Sequence, residues 1–393
     1  MIFSTLLQEI EQELHHIIDY WSAHSIDEKN GGFIGEIDYK EHKNYDAEKG
    51  SVMYARILWT YSAVYTATKN YDHLKVAERA FNEIKTKFYN PEEKGLYWSI
   101  HPDGSPKDTK NQIYALAFAV YGLSEFYKAS GNKEALDLAI TLYQSILSHS
   151  YDQRNKGYFE AYNQNWEEIS DMRLSEKDAN EKKTMNTHLH IVEAFANLYL
   201  VWKNEELKQN IIDILETIDQ YFVDKNTWHL KLFFDENWNE KQDVISYGHD
   251  IEAAWLLQWC AEISEDKNLI EQYQNYAVKM TDATLEGLDS DGGLWYEFNP
   301  QENHLIAEKH WWPQAEFWIG FVNAYELTKD EKYLNYFEKN FEFTKKYIID
   351  SQKGEWFWGI DRNYHHIRKD KAGFWKCPYH NGRACLEIIK RLA

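Results

Sequence analysis

Two histidines stand where polar turns run into apolar helical stretches, and imidazoles in that position can move protons. His249 lies in SYGHDIEAAWLLQW, followed at intervals of three by Glu252 and Trp255. That spacing puts all three on one helical face. A carboxylate beside an imidazole orients the ring and raises its basicity, although a histidine that merely caps its helix has the same spacing. His380 lies in GFWKCPYHNGRACLEI, inside a Gly- and Pro-bearing loop, with Trp375 before it and Arg383 one turn after it. A histidine exposed where a loop meets a cleft is a candidate acid or base; the plainer alternative is again a cap. An imidazole titrates near neutral pH, so either ring could take a proton or give one.

Other polar residues interrupt apolar faces. In KTMNTHLHIVEAF, Asn186 and His190 are four apart and face together, while His188 points elsewhere. Residues two apart diverge on a helix, so the HxH pattern does not read as a metal site. In HWWPQAEFWIGF, Trp311 and Trp312 precede Pro313, which suits a first helical turn, and Glu316 follows one turn in. Tandem tryptophans there make either a stacking platform or an apolar plug. Arg56, within SVMYARILWTYSAVY, would be a costly buried cation unless paired with a carboxylate or a ligand oxygen. Tyr114, within KNQIYALAF, could turn its hydroxyl to the same cleft or simply pack in the core.

These residues need elements to hold them. Six loop segments resemble one another: GGFIGEID, GLYWSIHPDG, GYFEAYNQNW, WHLKLFFDENW, GGLWYEFNP and GEWFWGIDR, recurring about every 60–70 residues. Each combines a turn signal with the alternating aromatics of a short strand. Between them run helical patterns with apolar residues at i, i+3, i+4 and i+7, each read as the first of a pair. The first helix of each pair is the more apolar and should be the inner one. About twelve helices in six hairpins predict an (α/α)6 barrel, with an open solenoid as the alternative. Proline is scarce (6) and no Ser/Gly-rich linker appears, so residues 1–393 are expected to form one domain. The N-terminal stretch MIFSTLLQEIEQELHH reads as an amphipathic helix rather than a signal peptide.

Composition narrows the partners. A net charge of −21 disfavours nucleic acid and anionic lipid. No apolar run is long enough to span a membrane, and three cysteines without a CxxC suggest neither a disulfide framework nor a zinc site. A cytoplasmic monomer is expected. Aromatic residues reach 16% of the chain and many sit beside Gly, Asp, Asn and Glu in the loops, which suits sugars. No GxGxxG, GxxxxGK[ST], GxSxG or HExxH is present, and the His15–His16 and His365–His366 pairs have surface-like neighbours.

Taken in order, YARILWTYS, NTHLHIVEAF, GHDIEAAWLL, WWPQAE and WKCPYHNGRACLE resemble the N-acylglucosamine 2-epimerase superfamily, from Arg56 to Arg383. The NTHLH and PYHNGR segments are similar to its disaccharide-acting branch. The resemblance implies an (α/α)6 barrel, no cofactor and no metal. It implies inversion at C2 of the reducing-end glucose of a β-1,4-linked disaccharide (cellobiose, lactose or mannobiose type). By motif match, His249 and His380 would be the acid/base pair. Arg56, Asn186, His190 and Glu252 would bind and polarise the reacting end, with Arg56 and His190 as donors to O1 and O2. Trp312 and Trp375 would be the aromatic platforms, and Tyr114, Asp178 and Glu316 would lie near the sugar; Trp255, Trp311 and Arg383 are further candidates for binding it. Other readings remain open at this point. One is a sister enzyme acting on N-acylglucosamine or mannose. Another is a glycoside hydrolase drawing two carboxylates from Asp178, Glu252 and Glu316. The third is a sugar-binding protein without turnover.

Overall fold

The computed structural model describes residues 2–393, with side chains from residue 5 onward. The helices in chain order are α1 (Ile2–His24), α2 (Ser51–Thr68), α3 (Tyr71–Glu83), α4 (Ile113–Ser130), α5 (Lys133–Ser145) and α6 (Met185–Val201). They continue with α7 (Glu205–Thr217), α8 (Tyr247–Ser264), α9 (Lys267–Thr284), α10 (Trp311–Thr328), α11 (Lys332–Tyr347) and α12 (Tyr379–Leu392). Of the even-numbered helices, α2, α4, α6, α8 and α10 are apolar nearly all round, while α12 is buried from Tyr379 to Cys385 and then keeps one apolar stripe. In α4 every residue from Ile113 to Phe126 is buried, whereas α3 buries only His73, Leu74, Ala77, Ala80 and Phe81, one stripe at helical spacing. A helix apolar all round must have neighbours all round. The inner helices accordingly pack α2 on α4, α4 on α6, α6 on α8, α8 on α10, α10 on α12, and α12 back on α2. The ring is closed, as an (α/α)6 barrel requires and an open solenoid forbids.

The pairing differs from expectation at one point. The last inner helix, α12, is not paired with a helix that follows it among the described residues; it packs on α1. The expected N-terminal helix therefore closes the outer layer, with Met1 outside the described residues. Buried indoles fasten the seam: Trp356 donates to Glu13 at 2.8 Å and Trp21 to Glu355 at 2.5 Å.

The six recurring loops are six short hairpins on one end of the ring. Antiparallel bridges join Ile26 to Phe33, Tyr89 to Leu96, Tyr151 to Tyr158, Val223 to Leu230, Leu288 to Leu294 and Ile349 to Trp356. Each hairpin leads toward the N-terminus of an inner helix. Gly157 shows why a turn glycine is needed: its φ is +78°, and an added Cβ would lie 2.5 Å from the Trp238 ring. Four hairpins are tied down by a fully buried lysine reaching an aspartate at their base: Lys49 to Asp27 (3.0 Å), Lys183 to Asp152 (2.8 Å), Lys309 to Asp289 (2.7 Å) and Lys371 to Asp350 (2.9 Å). Each ammonium takes further acceptors, as a buried cation must. The fourth repeat uses His229 instead, paired to Asp250 on α8 at 2.7 Å. These ties fix the ends of the inner helices that carry polar side chains.

Candidate active site

The N-terminal turns of the inner helices surround a cavity of about 960 Å³. Eleven of the fourteen residues expected from sequence line it: Arg56, Tyr114, Asp178, Asn186, His190, His249, Glu252, Trp311, Trp312, Trp375 and His380. The other three, Trp255, Glu316 and Arg383, do not touch it. They are buried behind the wall, where they hold residues that do. The expectation that they meet the sugar is corrected accordingly.

His380 has its Nδ1 2.7 Å from Glu316 Oε1. Glu316 in turn takes hydrogen bonds from Arg383 Nη2 at 2.7 Å and from the Trp255 indole at 3.0 Å. A carboxylate on Nδ1 fixes the Nδ1–H tautomer and leaves Nε2 with its lone pair. Burial pushes the His380 imidazole down to about 3 against the pull of Glu316, so the ring rests neutral. Its companion His249 is held differently. Its Nδ1 lies 2.8 Å from the Ser246 hydroxyl, and Glu252 is not its partner. The expected Glu252–His249 pair is therefore absent. A shared helical face allows such a contact, but here the Glu252 carboxylate is drawn across the ring to Arg383 Nη2 at 2.8 Å. Burial, with the nearby cationic groups and imidazoles, pushes His249 down to about 3 as well.

Trp312 packs on both imidazoles, 4.8 Å from His249 and 5.7 Å from His380 by ring centroids. Trp375 forms a second aromatic wall against Trp98 and Tyr114. The tandem tryptophans thus divide the two roles proposed for them. Trp312 contacts both histidines, while Trp311 packs on Trp358 at 4.5 Å and is 3% exposed.

Arg56 is buried without a carboxylate. Its Nη2 donates to the Tyr114 hydroxyl at 2.7 Å, its guanidinium lies 4.2 Å from the Phe118 ring centre, and its Nε has no partner. Asn186 Oδ1 is likewise buried and unpartnered. A cation and an amide left short of partners on a cavity wall are suited to ligand oxygens. His190 gives its Nδ1 to Glu193 Oε2 at 2.7 Å, and burial lowers its pKa. A ring held through Nδ1 leaves Nε2 for the cavity, where it accepts when neutral and donates, as expected for O1 and O2, only when protonated.

Glu252 and Glu316 share Arg383 Nη2. Burial and the charge of Glu316 raise Glu252, while Arg383 and His380 outweigh the burial of Glu316 and hold it down. Of the two, Glu316 is the more readily ionised and Glu252 the more readily protonated. Their oxygens and His380 lie within 4.8 Å of one another, a spacing a metal could use, but the guanidinium of Arg383 is the cation bonded to both carboxylates. Two carboxyl groups joined by one arginine nitrogen also leave no room for a glycosidic bond between them. His188, the other half of the HxH pattern, is satisfied in the core by Thr184 O and the Tyr158 amide.

Several residues of the site were not anticipated. Glu193 sits three after His190 and Ser246 three before His249, so helical spacing alone could have found both. Lys177 reaches over the cavity from the loop of Asp178 to the Tyr296 hydroxyl, with its ammonium 4.8 Å from that ring centre. Asp178 itself is tied to Ser175 within that loop. No pattern in the sequence joins Lys177 to Tyr296. Glu355 was also missed: it bonds Lys376 and Asn381 at 2.7 Å each and so fastens the segment bearing Trp375 and His380.

Residues 31–384 match the N-acylglucosamine 2-epimerase (GlcNAc 2-epimerase) family model. The chain is 46% identical to a cellobiose 2-epimerase of Bacteroides fragilis, over 98% of each protein. It is 38% identical to a cellobiose 2-epimerase of Ruminococcus albus, over 98% of this chain and 99% of that one. The solved structure of cellobiose 2-epimerase from Bacillus thermoamylovorans superposes with a TM-score of 0.93 at 38% identity, over 99% of this chain and 100% of that one.

Proposed function

The chain belongs to the N-acylglucosamine 2-epimerase family, and from that premise we propose how its cavity inverts C2 of a reducing-end sugar. It is a carbohydrate epimerase, an isomerase. The substrate class we assign is the β-1,4-linked disaccharide: cellobiose would give glucosyl-mannose and lactose would give epilactose. Full-length similarity to several cellobiose 2-epimerases supports this choice. The observation that carries the mechanism is a pair of neutral imidazoles on one cavity wall, both packed on Trp312 and each tied back through Nδ1.

C2 of an aldose becomes acidic only when C1 is an aldehyde, so the ring must open first. Opening removes the O1 proton, breaks C1–O5 and puts a proton on O5. A histidine that takes the O1 proton becomes the imidazolium that later delivers to C2. Glu252, a cavity carboxyl whose pKa is raised by burial and by the charge of Glu316, supplies O5. The second histidine, still neutral, then takes the C2 proton. The C2–H electrons form the C1=C2 bond, and the carbonyl electrons move to O1. Arg56 donates to that oxyanion, which in a buried site is worth far more than in water. Delivery of the first histidine's proton to the opposite face of C2 inverts the centre. Ring closure returns protons to O1 and Glu252, so the cycle balances without a redox step. Positioned acid–base groups typically contribute about 10²- to 10⁴-fold each.

We read residues 1–393 as one catalytic unit working as a cytoplasmic monomer. Its three cysteines are free and buried, and no helix among the described residues is long and apolar enough to cross a membrane. Incubation with cellobiose, N-acetylmannosamine and mannose, followed by product chromatography, tests the assignment. Glucosyl-mannose from cellobiose alone is expected. Turnover of N-acetylmannosamine or mannose instead would transfer the chain to a sister activity, and free glucose would mark a hydrolase.

A further inference from the structure

One buried carboxylate belongs to neither proton-moving histidine, yet it touches the supports of two cavity imidazoles. Glu193, on α6, is fully buried and does not line the cavity. Its Oε2 takes the His190 Nδ1 proton at 2.7 Å. Its Oε1 accepts from Arg383 Nη1 at 2.6 Å and from the Tyr379 hydroxyl at 2.7 Å. Arg383 then passes through Nη2 to Glu316 Oε1 at 2.7 Å, and Glu316 Oε1 is 2.7 Å from His380 Nδ1. The path His190, Glu193, Arg383, Glu316, His380 contains no step longer than 2.7 Å. Tyr379 adds a second route, since it precedes His380 in the chain and also contacts Arg383.

The guanidinium is planar and its nitrogens are fixed relative to one another. Rotating it to follow one carboxylate moves its bonds to the others. It is also clamped by the Tyr379 and Trp255 rings, 4.3 and 4.8 Å from its centre, so it transmits such a rotation rather than absorbing it. We propose that Glu193 is a positioning residue for the epimerisation: it sets the tautomer of His190 directly and, through Arg383 and Glu316, the orientation and tautomer of His380. The histidine that accepts at the substrate oxygens and the histidine that works at C2 are thereby parts of one buried unit.

The kinetic consequence rests on the epimerase reading, but the physical coupling can be read without turnover. The test is ring-nitrogen NMR on enzyme carrying ¹⁵N-histidine, for the wild type, Glu193→Gln and Glu316→Gln, with melting curves alongside. In the wild type both His190 and His380 should be Nδ1–H tautomers; an Nε2–H tautomer at either overturns the proposal. Glu193→Gln should shift the His380 ring signals although residue 193 does not touch that ring. Glu316→Gln should shift those of His190, because coupling is reciprocal. Glu193→Gln should also lower kcat roughly 10- to 100-fold while KM stays within about 3-fold. His380 signals that superpose on wild type in a folded Glu193→Gln enzyme would reduce Glu193 to a counter-ion and overturn the coupling. If that variant does not fold, unchanged His190 signals in Glu316→Gln do the same. A wild type that leaves cellobiose untouched would remove the epimerase reading while the resonance comparison stands.

Discussion

The two sides of the cavity hold equivalent rings by opposite means. On the α12 side, His380 is wired into charge: Glu316 on its Nδ1, Arg383 behind that, and Glu193 beyond. On the α8 side, His249 meets a single neutral hydroxyl, Ser246. A carboxylate stabilises an imidazolium and permits one neutral tautomer; a hydroxyl can donate or accept and permits two. His380 is thus the better place to store a proton and His249 the easier ring to turn over. An epimerase needs acid and base on both faces, and if these two rings supply them, as proposed, the chemistry would not require the same support on each.

The largest effects should come from the rings themselves. His380→Ala and His249→Ala should each fold and lose about 10²- to 10⁴-fold in kcat. Retention of more than a tenth of wild-type kcat by either would show that its ring is not obligatory.

The supports should then separate the two sides. Glu316→Gln breaks the charged chain and should lower kcat roughly 10- to 100-fold, while Ser246→Ala should stay within about 3-fold. Equal losses in steady-state assays would erase the asymmetry. Glu252→Gln removes a transferable proton without touching His249, and its loss should be smaller than that of His249→Ala. Loss as deep as that of the histidine variant would make Glu252 indispensable in the proton transfers.

A smaller effect concerns the base of α8. His229 stands where four other repeats use a buried lysine. Burial alone would depress it, but Asp250 and Glu286 raise it to about 9. A raised value in the fold means the pair stabilises fully below the unfolded value near 6.5 and is lost as pH rises through about 9. The melting temperature of wild type should therefore exceed that of His229→Gln by a few degrees at pH 6, and the gap should close above pH 9. A gap constant across that range would mean the pair contributes packing and not charge. Dialysis against EDTA should have no effect, since Arg383 is the cation at the carboxylate cluster. Loss restored by one divalent ion would contradict this.

The ring was legible because its loops repeat and five of its six inner helices are apolar nearly all round. What the repeats could not reveal was the seam, where only packing shows that α1 covers α12. The lining residues were legible for a related reason, since a polar side chain at the mouth of an apolar helix has few places to go. Their partners were less so. Spacing put Glu252 beside His249, but helical geometry specifies a face and not which neighbour across a barrel claims the side chain. Arg383, on another helix, claims it. The Glu316–His380 pair spans 64 residues of sequence, and no local rule predicts it. Glu193 is the instructive miss, for it obeys the same three-residue rule that singled out Glu252.

The central claim is that two bases face opposite sides of C2, and a solvent-isotope experiment tests it most directly. Cellobiose is turned over in D₂O and the first few per cent of product is examined by NMR at C2. With one histidine removing the proton and another delivering one acquired from an exchangeable site, early product should carry deuterium at C2. Recovered substrate should remain mostly protium. A single base that lifts and returns the same proton, or an internal hydride shift, would leave protium there. Product with C2 close to fully protiated would contradict the assignment of His249 and His380 to opposite faces.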